Sequence, residues 1–348
     1  MALRVVAPAH LHAGNPDLAG DLGRLYGTAG FVIDRPHTVL VLTRVGRRRV
    51  TGPRAEDVIR WLDLLAPGDP LEVHIEEVVP QGVGLGSTTS LVCGLLVGLW
   101  RAGVLARRPD TAHGELLEAA ARCGRGRWTG FGVHGALFGG SFLIDGGFRI
   151  DPVTRARVDA RIPPLVFSGT VPASWRFVVA LPHAPLAQVA AIKAREEDVL
   201  AQVPKMAEAT ADRLSRLLLM QACPALVEGD LTTFGAALTA FNRRLGGFWQ
   251  DFQEGDYCHG SVTEVLRVMN HAGAAGVAQS CWGPTCYGVF PSEARARQAV
   301  DDVRRCLDTW GGGDLWVATP HAAGVVVEPA DSPEKARPGR AGATRGTV

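Results

Sequence analysis

The sequence predicts an α+β fold in two lobes. Strand-type alternation and helix-type periodicity are interleaved along the chain, and the organisation changes near Pro163-Pro164. A chain of 348 residues is also too long for one average domain and fits two, with length enough to bury a core. The expected division is residues 1–165, residues 166–328 and a disordered tail from 329, rich in Pro, Gly, Arg and Ala without periodicity.

The elements follow in order. Leu3 to Leu11 alternates apolar and polar as a strand, then breaks into the Gly/Asp/Asn-rich stretch 14–30. Phe31 to Val45 and Leu71 to Val79 read as strands. Thr88 to Gly103 reads as a helix, apolar almost all round and hence buried. A second helix covers Thr111 to Cys123, and Ala136 to Ile144 is expected to be a strand ending in the turn Asp145-Gly146-Gly147. In the second lobe Trp175 to Leu181 is a strand. Helices are expected over 188–202, 207–223, 231–245, 261–272 and 292–309. A Gly/Pro/Ser loop leads into a strand within 278–291, and 315–327 supplies closing strands.

Composition excludes several function classes. A net charge of +1 calls for neither nucleic acid nor an acidic membrane surface. The opening Met1-Ala2-Leu3-Arg4 lacks the form of a signal peptide, and the apolar run 91–100 is too short to span a bilayer. Seven scattered cysteines without a CxxC pair read as buried, reduced thiols of a cytoplasmic protein. Only Lys193, Lys205 and Lys335 are lysines among 36 basic residues, a skew expected of a GC-rich coding genome such as an actinobacterium's.

The chemistry concentrates after the third strand, in Gly82-Val83-Gly84-Leu85-Gly86-Ser87-Thr88-Thr89-Ser90. Three glycines admit positive φ and close approach of a ligand. Four hydroxyl residues then open a helix whose first amides and positive dipole end make an anion site. A bare Gly-x-Gly would be no more than a tight turn. The preceding strand and the run of hydroxyls favour phosphate binding by Gly84 to Thr89. No Gly-Lys-Ser/Thr follows, so this is not a Walker A loop, and the Rossmann third glycine and acidic partner are missing.

The stretch Pro80-x-x-x-Gly84-Leu85-Gly86-Ser87 resembles the central motif of the GHMP superfamily, the galactokinase, homoserine, mevalonate and phosphomevalonate kinase group. The resemblance implies an N-terminal lobe like the second domain of ribosomal protein S5 and a ferredoxin-like C-terminal lobe. Those kinases open with an Ala-Pro-Gly-Lys-type segment, whereas this chain reads Ala7-Pro8-Ala9-His10. Phosphoryl transfer needs a cation or base at the γ-phosphate.

Leu11-His12, Asp17, Gly20, Gly23-Arg24 and Tyr26-Gly27 resemble instead the opening of β-ribofuranosylaminobenzene 5′-phosphate synthases. Gly124-Arg125-Gly126, residues 139–147, Phe234-Gly235, Phe241-Asn242, Gly247, Gln253 and the run 279–287 are similar to theirs, in the same order. That family joins 5-phosphoribosyl pyrophosphate to an aromatic carboxylic acid at the carbon bearing the carboxylate, releasing pyrophosphate and carbon dioxide. One branch uses 4-aminobenzoate or 4-hydroxybenzoate. A second, in C-nucleoside antibiotic pathways of the formycin and pyrazofurin type, uses an aminopyrazole dicarboxylate, and the arginine-rich composition leans toward it. Homodimerisation and Mg²⁺ carried with the donor are further implications.

Candidate residues follow from the chemistry. Pyrophosphate departure leaves an oxocarbenium-like centre, so the leaving group must be neutralised and water kept away. His12, at a strand end, Arg24, between glycines, and Asp145 are the expected catalytic residues. His10 alternates with His12, and the two share either a site or only a sheet face. Arg125, Lys193, Ser280, Trp282 and Thr285 are expected to hold the aromatic acid or sugar phosphate, with Trp282 stacking on the ring. Asp17 is the candidate for the metal. Phe248, Trp249 and Phe252 read as core or subunit interface. Two other readings keep the fold: an ATP-using small-molecule kinase and a non-catalytic ligand-binding regulator.

Overall fold

The computed structural model describes residues 2–105, 112–187, 190, 203–251, 253 and 255–330. The helix expected over 188–202, with Lys193, falls almost wholly outside the described residues, as do Phe252 and the tail from residue 331.

Two antiparallel hairpin partners build the first sheet. Strand β1 (Ala2–Gly14) pairs along its whole length with β3 (Thr28–Arg44), with a register shift between Pro8 and Ala9. Short β2 (Arg24–Leu25) lies in the connection and pairs with β7 (Phe148–Arg149). The outer end of β3 pairs with β5 (Leu71–Glu77), which carries parallel β4 (Arg49–Thr51) at the edge. Its inner end pairs with β6 (Phe142–Asp145), and β6 in turn with β8 (Leu165–Gly169). Helix α1 (Ala55–Leu65) was absent from the sequence reading. Its signal is modest: buried Val58 and Leu62 one turn apart, with Glu56 and Asp57 in the first turn.

Helix α2 (Ser87–Arg101) lies across β1 and β3 and is buried almost all round, as its composition requires. Helix α3 (Ala112–Arg122) flanks it. The strand expected over 136–144 is corrected: α4 (Phe131–Phe138) runs through Ala136, ends at Gly139, and only then does β6 begin. Eight residues, two of them glycine and one histidine, are too few to show a helical period against a strand pattern.

The second sheet has the order β12-β9-β11-β10, the ferredoxin-like arrangement. Its strands are β9 (Arg176–Pro182), β10 (Gly276–Gln279), β11 (Cys286–Phe290) and β12 (Gly313–Ala318). Helix α5 (Glu208–Leu217) continues through a widened π turn at 218–222 into α6 (Cys223–Glu228). Helices α7 (Leu231–Trp249), α8 (Gly260–His271) and α9 (Glu293–Thr309) complete the lobe. Strand β8 and the returning β13 (Val326–Pro329, against β1) belong to the first sheet, so each end of the second lobe is tied to the first.

Phe31 of β3 joins the two cores. Its ring lies 4.9 Å from Phe142, 5.0 Å from Phe177 and 5.9 Å from both Phe234 and Tyr287, all buried. Rings at these separations interlock at density close to that of a crystal, so the lobes present their loops to each other in a fixed relation. No disulfide links the seven cysteines, all of which lie among the described residues. No described helix is long and apolar enough to cross a membrane.

Candidate active site

The loop that the sequence singles out leaves β5 and enters α2. Gly82, Gly84 and Gly86 all have positive φ. The need for glycine is sharpest at two of them. A Cβ on Gly84 would lie 2.3 Å from the Ser280 carbonyl oxygen, and one on Gly86 would lie 1.9 Å from Cε1 of His10. Gly86 is the N-cap of α2 and the amide of Ser90 is the first to return to it, at 2.9 Å. The amides of Ser87, Thr88 and Thr89 therefore have no partner within the helix.

The second lobe holds this loop in place. The Ser280 hydroxyl accepts the His12 amide at 2.8 Å and donates to the Gly84 carbonyl at 2.6 Å. The Tyr287 hydroxyl donates to the His12 carbonyl at 3.0 Å. Asn242 donates to the carbonyls of Ala13 and Gln279 and accepts the Gln279 amide, each at 3.0 Å.

A cleft of about 470 Å³ opens between these elements. Its lining includes Gly84, Gly86, Ser87, Thr88, Thr89 and Arg125, together with the apolar and aromatic side chains of Tyr26, Trp128, Leu245, Trp249 and Trp282. Trp249 and Trp282 meet edge to face at 4.6 Å. Trp249, expected in the core or at a subunit interface, is buried in the core and also forms part of the cleft wall. Backbone strain gathers here too. Of the four non-glycine residues with positive φ among the described residues, Tyr26 and Cys281 line the cleft and Arg54 reaches its loop.

The expected site residues do not all meet in the cleft. His12, Gly84, Gly86, Ser87, Thr88, Thr89, Arg125 and Trp282 are brought together in the cleft wall. Leu85, Ser280 and Thr285 are buried behind it, so they shape the loop rather than face a ligand. Arg24 lies elsewhere: its Nη1 donates to the carbonyls of Gly146 and Gly147, beside a separate cavity of about 300 Å³. Asp145 is buried under the start of α4, where it accepts the amides of Gly130, Phe131 and Gly147 at 2.8–2.9 Å. Its oxygens cap that helix and do not line the cleft. Lys193 lies outside the described residues.

Asp17 spends Oδ1 on the Ala19 amide at 2.7 Å, away from the cleft. No group of three His, Cys, Asp or Glu side chains that could hold a metal occurs among the described residues. The cleft's carboxylate, Asp256, pairs with Arg243 at 3.0 Å. Among the described residues the cleft therefore offers magnesium no cluster of carboxylates.

Two cations stand near the start of α2: Arg125, expected there, and Arg54, which no motif marks. Arg54, N-cap of α1, donates from Nη1 to Ser87 Oγ (3.1 Å) and from Nη2 to Thr88 Oγ1 (3.2 Å). Nothing in the local sequence marks it; it lies 33 residues before Ser87. Arg125 has a buried Nε without a hydrogen-bond partner among the described residues. Burial holds its pKa below the usual arginine value, with the Arg54 charge acting in the same direction. A buried guanidinium lacking a partner is costly unless an anion joins it.

His10 is the remaining polar group against the loop. Its ring sits between Gly86 and Gly132, edge-on to Phe131 at 4.9 Å, and takes no hydrogen bond among the described residues. Burial lowers its pKa to about 4, so it is neutral at physiological pH. Burial instead raises Asp145 to about 7, against the backbone donors of Gly147, Gly130 and Phe131.

These shifts pull stability in opposite directions. For His10 the folded value is the lower one, so its contribution is full above pH 6.5 and drains as pH falls toward about 4. For Asp145 the folded value is the higher one. Its contribution is full below pH 3.8 and is lost as pH rises through about 7. In the shared window the two oppose each other. His10→Asn leaves the Asp145 slope uncovered. Urea melts of that variant are expected to show stability falling, relative to wild type, by up to about 1.4 kcal/mol per pH unit as pH rises from 4 to 6.5. Parallel wild-type and variant curves would show that the His10 ring titrates alike in folded and unfolded chains.

The comparisons with known proteins agree with this architecture. Residues 55–140 match the GHMP kinases N terminal domain and residues 222–309 the GHMP kinases C terminal domain, together half of the chain. β-Ribofuranosylphenol 5′-phosphate synthase of Methanothermobacter thermautotrophicus is 25% identical over 312 residues, covering 82% of this chain and 88% of that one. Its namesake from Methanocaldococcus jannaschii is 24% identical over 325 residues, covering 85% and 92%. Among solved structures, homoserine kinase from Cytophaga hutchinsonii superposes with a TM-score of 0.64 at 17% identity, covering 94% and 97%. At that identity the likeness speaks to fold alone.

Proposed function

Because the chain belongs to the GHMP superfamily and is similar along most of its length to β-ribofuranosylphenol 5′-phosphate synthases, we propose that it is a decarboxylating C-riboside synthase. It joins 5-phosphoribosyl pyrophosphate to an aromatic carboxylic acid. The observation that carries the reading is a single cleft lined both by the glycines and hydroxyls at the start of α2, with Arg125, and by Tyr26, Trp128, Trp249 and Trp282. A sugar diphosphate and an aromatic ring fit that combination.

In the proposed reaction the bond from the anomeric carbon to the diphosphate oxygen breaks. Its electron pair leaves with diphosphate, and the acceptor's ring carbon forms the new bond. The carbon–carboxylate bond then breaks, its electrons restore aromaticity, and carbon dioxide departs. No ring proton has to be removed. The helix-start amides, Arg54 and Arg125 would stabilise charge on the leaving diphosphate, while the tryptophan walls exclude water and hold the ring over the anomeric carbon. Magnesium, where it takes part, would enter on the donor's own oxygens. The neutral His10 stands where the kinases' opening lysine is missing, which disfavours ATP-dependent transfer.

For the acceptor, the relatives are named for a ribofuranosylphenol product. That supports a 4-hydroxybenzoate-type acid over the aminopyrazole dicarboxylate, which rests on composition. Pyrophosphate release from 5-phosphoribosyl pyrophosphate with Mg²⁺, across a panel of benzoic and azole carboxylic acids with product masses recorded, tests both points. Release dependent on one acid, with a product lacking its carboxylate, is expected. Silence across the panel together with turnover of ATP would replace the synthase reading by the kinase one.

A further inference from the structure

Arg54 is an unusual residue to find at the N-cap of a helix. Its backbone is left-handed at φ 60°, a conformation that a side chain with a Cβ resists. Its side chain is only 12% exposed and turns away from α1 toward the start of α2. Asp57, one turn along α1, accepts from its Nε at 2.8 Å and fixes the plane of the guanidinium. With Nε so held, Nη1 and Nη2 each reach a different hydroxyl, Ser87 Oγ and Thr88 Oγ1.

The direction of those two bonds matters. A guanidinium has donors and no acceptor, so the hydroxyl oxygens must accept from it. Each hydroxyl then keeps its own hydrogen free and turned away from the like-charged donor. Ser87 and Thr88 both line the cleft, beside their own amides, which have no partner among the described residues. A fixed cation behind a hydroxyl also polarises it and strengthens the bond that it donates. Arg54 and Arg125 both feel the charge of Asp57. That carboxylate also pairs with Arg60, so positive charge is left over at the loop.

We propose that Arg54 is a positioning residue for the diphosphate. It sets Ser87 and Thr88 as hydrogen-bond donors toward a diphosphate group resting on the start of α2. It acts through these hydroxyls rather than as a direct ligand. The inference deepens the proposed function and rests on it for the identity of the substrate, though not for the binding chemistry.

The test uses inorganic pyrophosphate as probe and the whole chain, with calorimetric binding to wild type, Arg54→Gln, the Ser87→Ala/Thr88→Ala double variant and the triple variant. Loss of two polarised, charge-supported donors should weaken binding roughly tenfold or more in Arg54→Gln. In the double-variant background the same substitution should cost about threefold or less, because the hydroxyls it acts through are gone. Arg54→Lys, which keeps the charge but cannot serve both oxygens from one plane, should fall between. Thermal melts by circular dichroism accompany each protein, and Arg54→Lys carries the comparison if Arg54→Gln does not fold.

Wild-type affinity in Arg54→Gln, or an equal loss in both backgrounds, would overturn the proposal. So would absence of pyrophosphate binding to the wild type. Binding that follows the expected pattern, in a protein that turns over none of the panel acids, would uphold the role of Arg54 while removing the synthase reading.

Discussion

Arg125→Met is expected to lower kcat/KM for 5-phosphoribosyl pyrophosphate by about two orders of magnitude while making the protein slightly more stable. The two effects have one cause. The Arg125 guanidinium is largely desolvated near Arg54, and its buried Nε finds no hydrogen-bond partner among the described residues. In the free protein that is a penalty; with a diphosphate present it becomes a charge-assisted bond worth roughly 2–3 kcal/mol. Methionine has a similar length and no polar group to satisfy, so stability should rise by about 1 kcal/mol. Donor-varied kinetics and thermal melts on the same preparations check both halves. Activity and stability falling together would mean that Arg125 is a structural cation.

Gly86→Ala should remove turnover and destabilise the fold together. Its φ of 71° costs a side-chain-bearing residue roughly 1–2 kcal/mol, and the new Cβ would land 1.9 Å from the His10 ring. That ring cannot retreat, because a Cβ on Gly132 on its far side would already lie 2.4 Å from it. Either the loop or β1 has to move, and a stability loss of about 3 kcal/mol is the expected scale. In a His10→Ala background the collision vanishes, so most of that loss should return. The left-handed backbone would still be wrong for alanine, and turnover should stay more than about a hundredfold down, since the loop's donors must meet the leaving group within a fraction of an ångström. Urea denaturation and pyrophosphate release on the four proteins of this cycle decide it. Equal destabilisation with and without the His10 ring would show that the contact is not the cause.

The glycine-rich loop was legible in the sequence because its parts are contiguous. Gly82, Gly84, Gly86 and the hydroxyls after them need only a strand before and a helix behind to form a strand-to-helix turn with free amides, and both were readable from local pattern. The α+β class was legible for a related reason, whereas the ferredoxin-like second lobe was an expectation of the family resemblance alone. Long segments such as 28–44 and 231–249 carry enough residues for a period to emerge. The eight residues of α4 do not, and a strand was expected across them.

Roles that depend on which way a side chain turns were not legible. Arg24 and Asp145 lie in motif-like runs, yet one clasps the 146–147 turn and the other caps a buried helix. His10 and His12 alternate on one strand, and only the packing of Gly86 and Gly132 distinguishes the ring held against the loop. Arg54 has no motif at all; its guanidinium meets Ser87 and Thr88 because α1 is seated on the sheet beside α2. The sequence by itself determined the fold class and the loop, since local conformational preference and hydrophobic period act between near neighbours. Only the tertiary structure decided which charges face the cleft, because burial and hydrogen-bond direction are set by residues far apart along the chain.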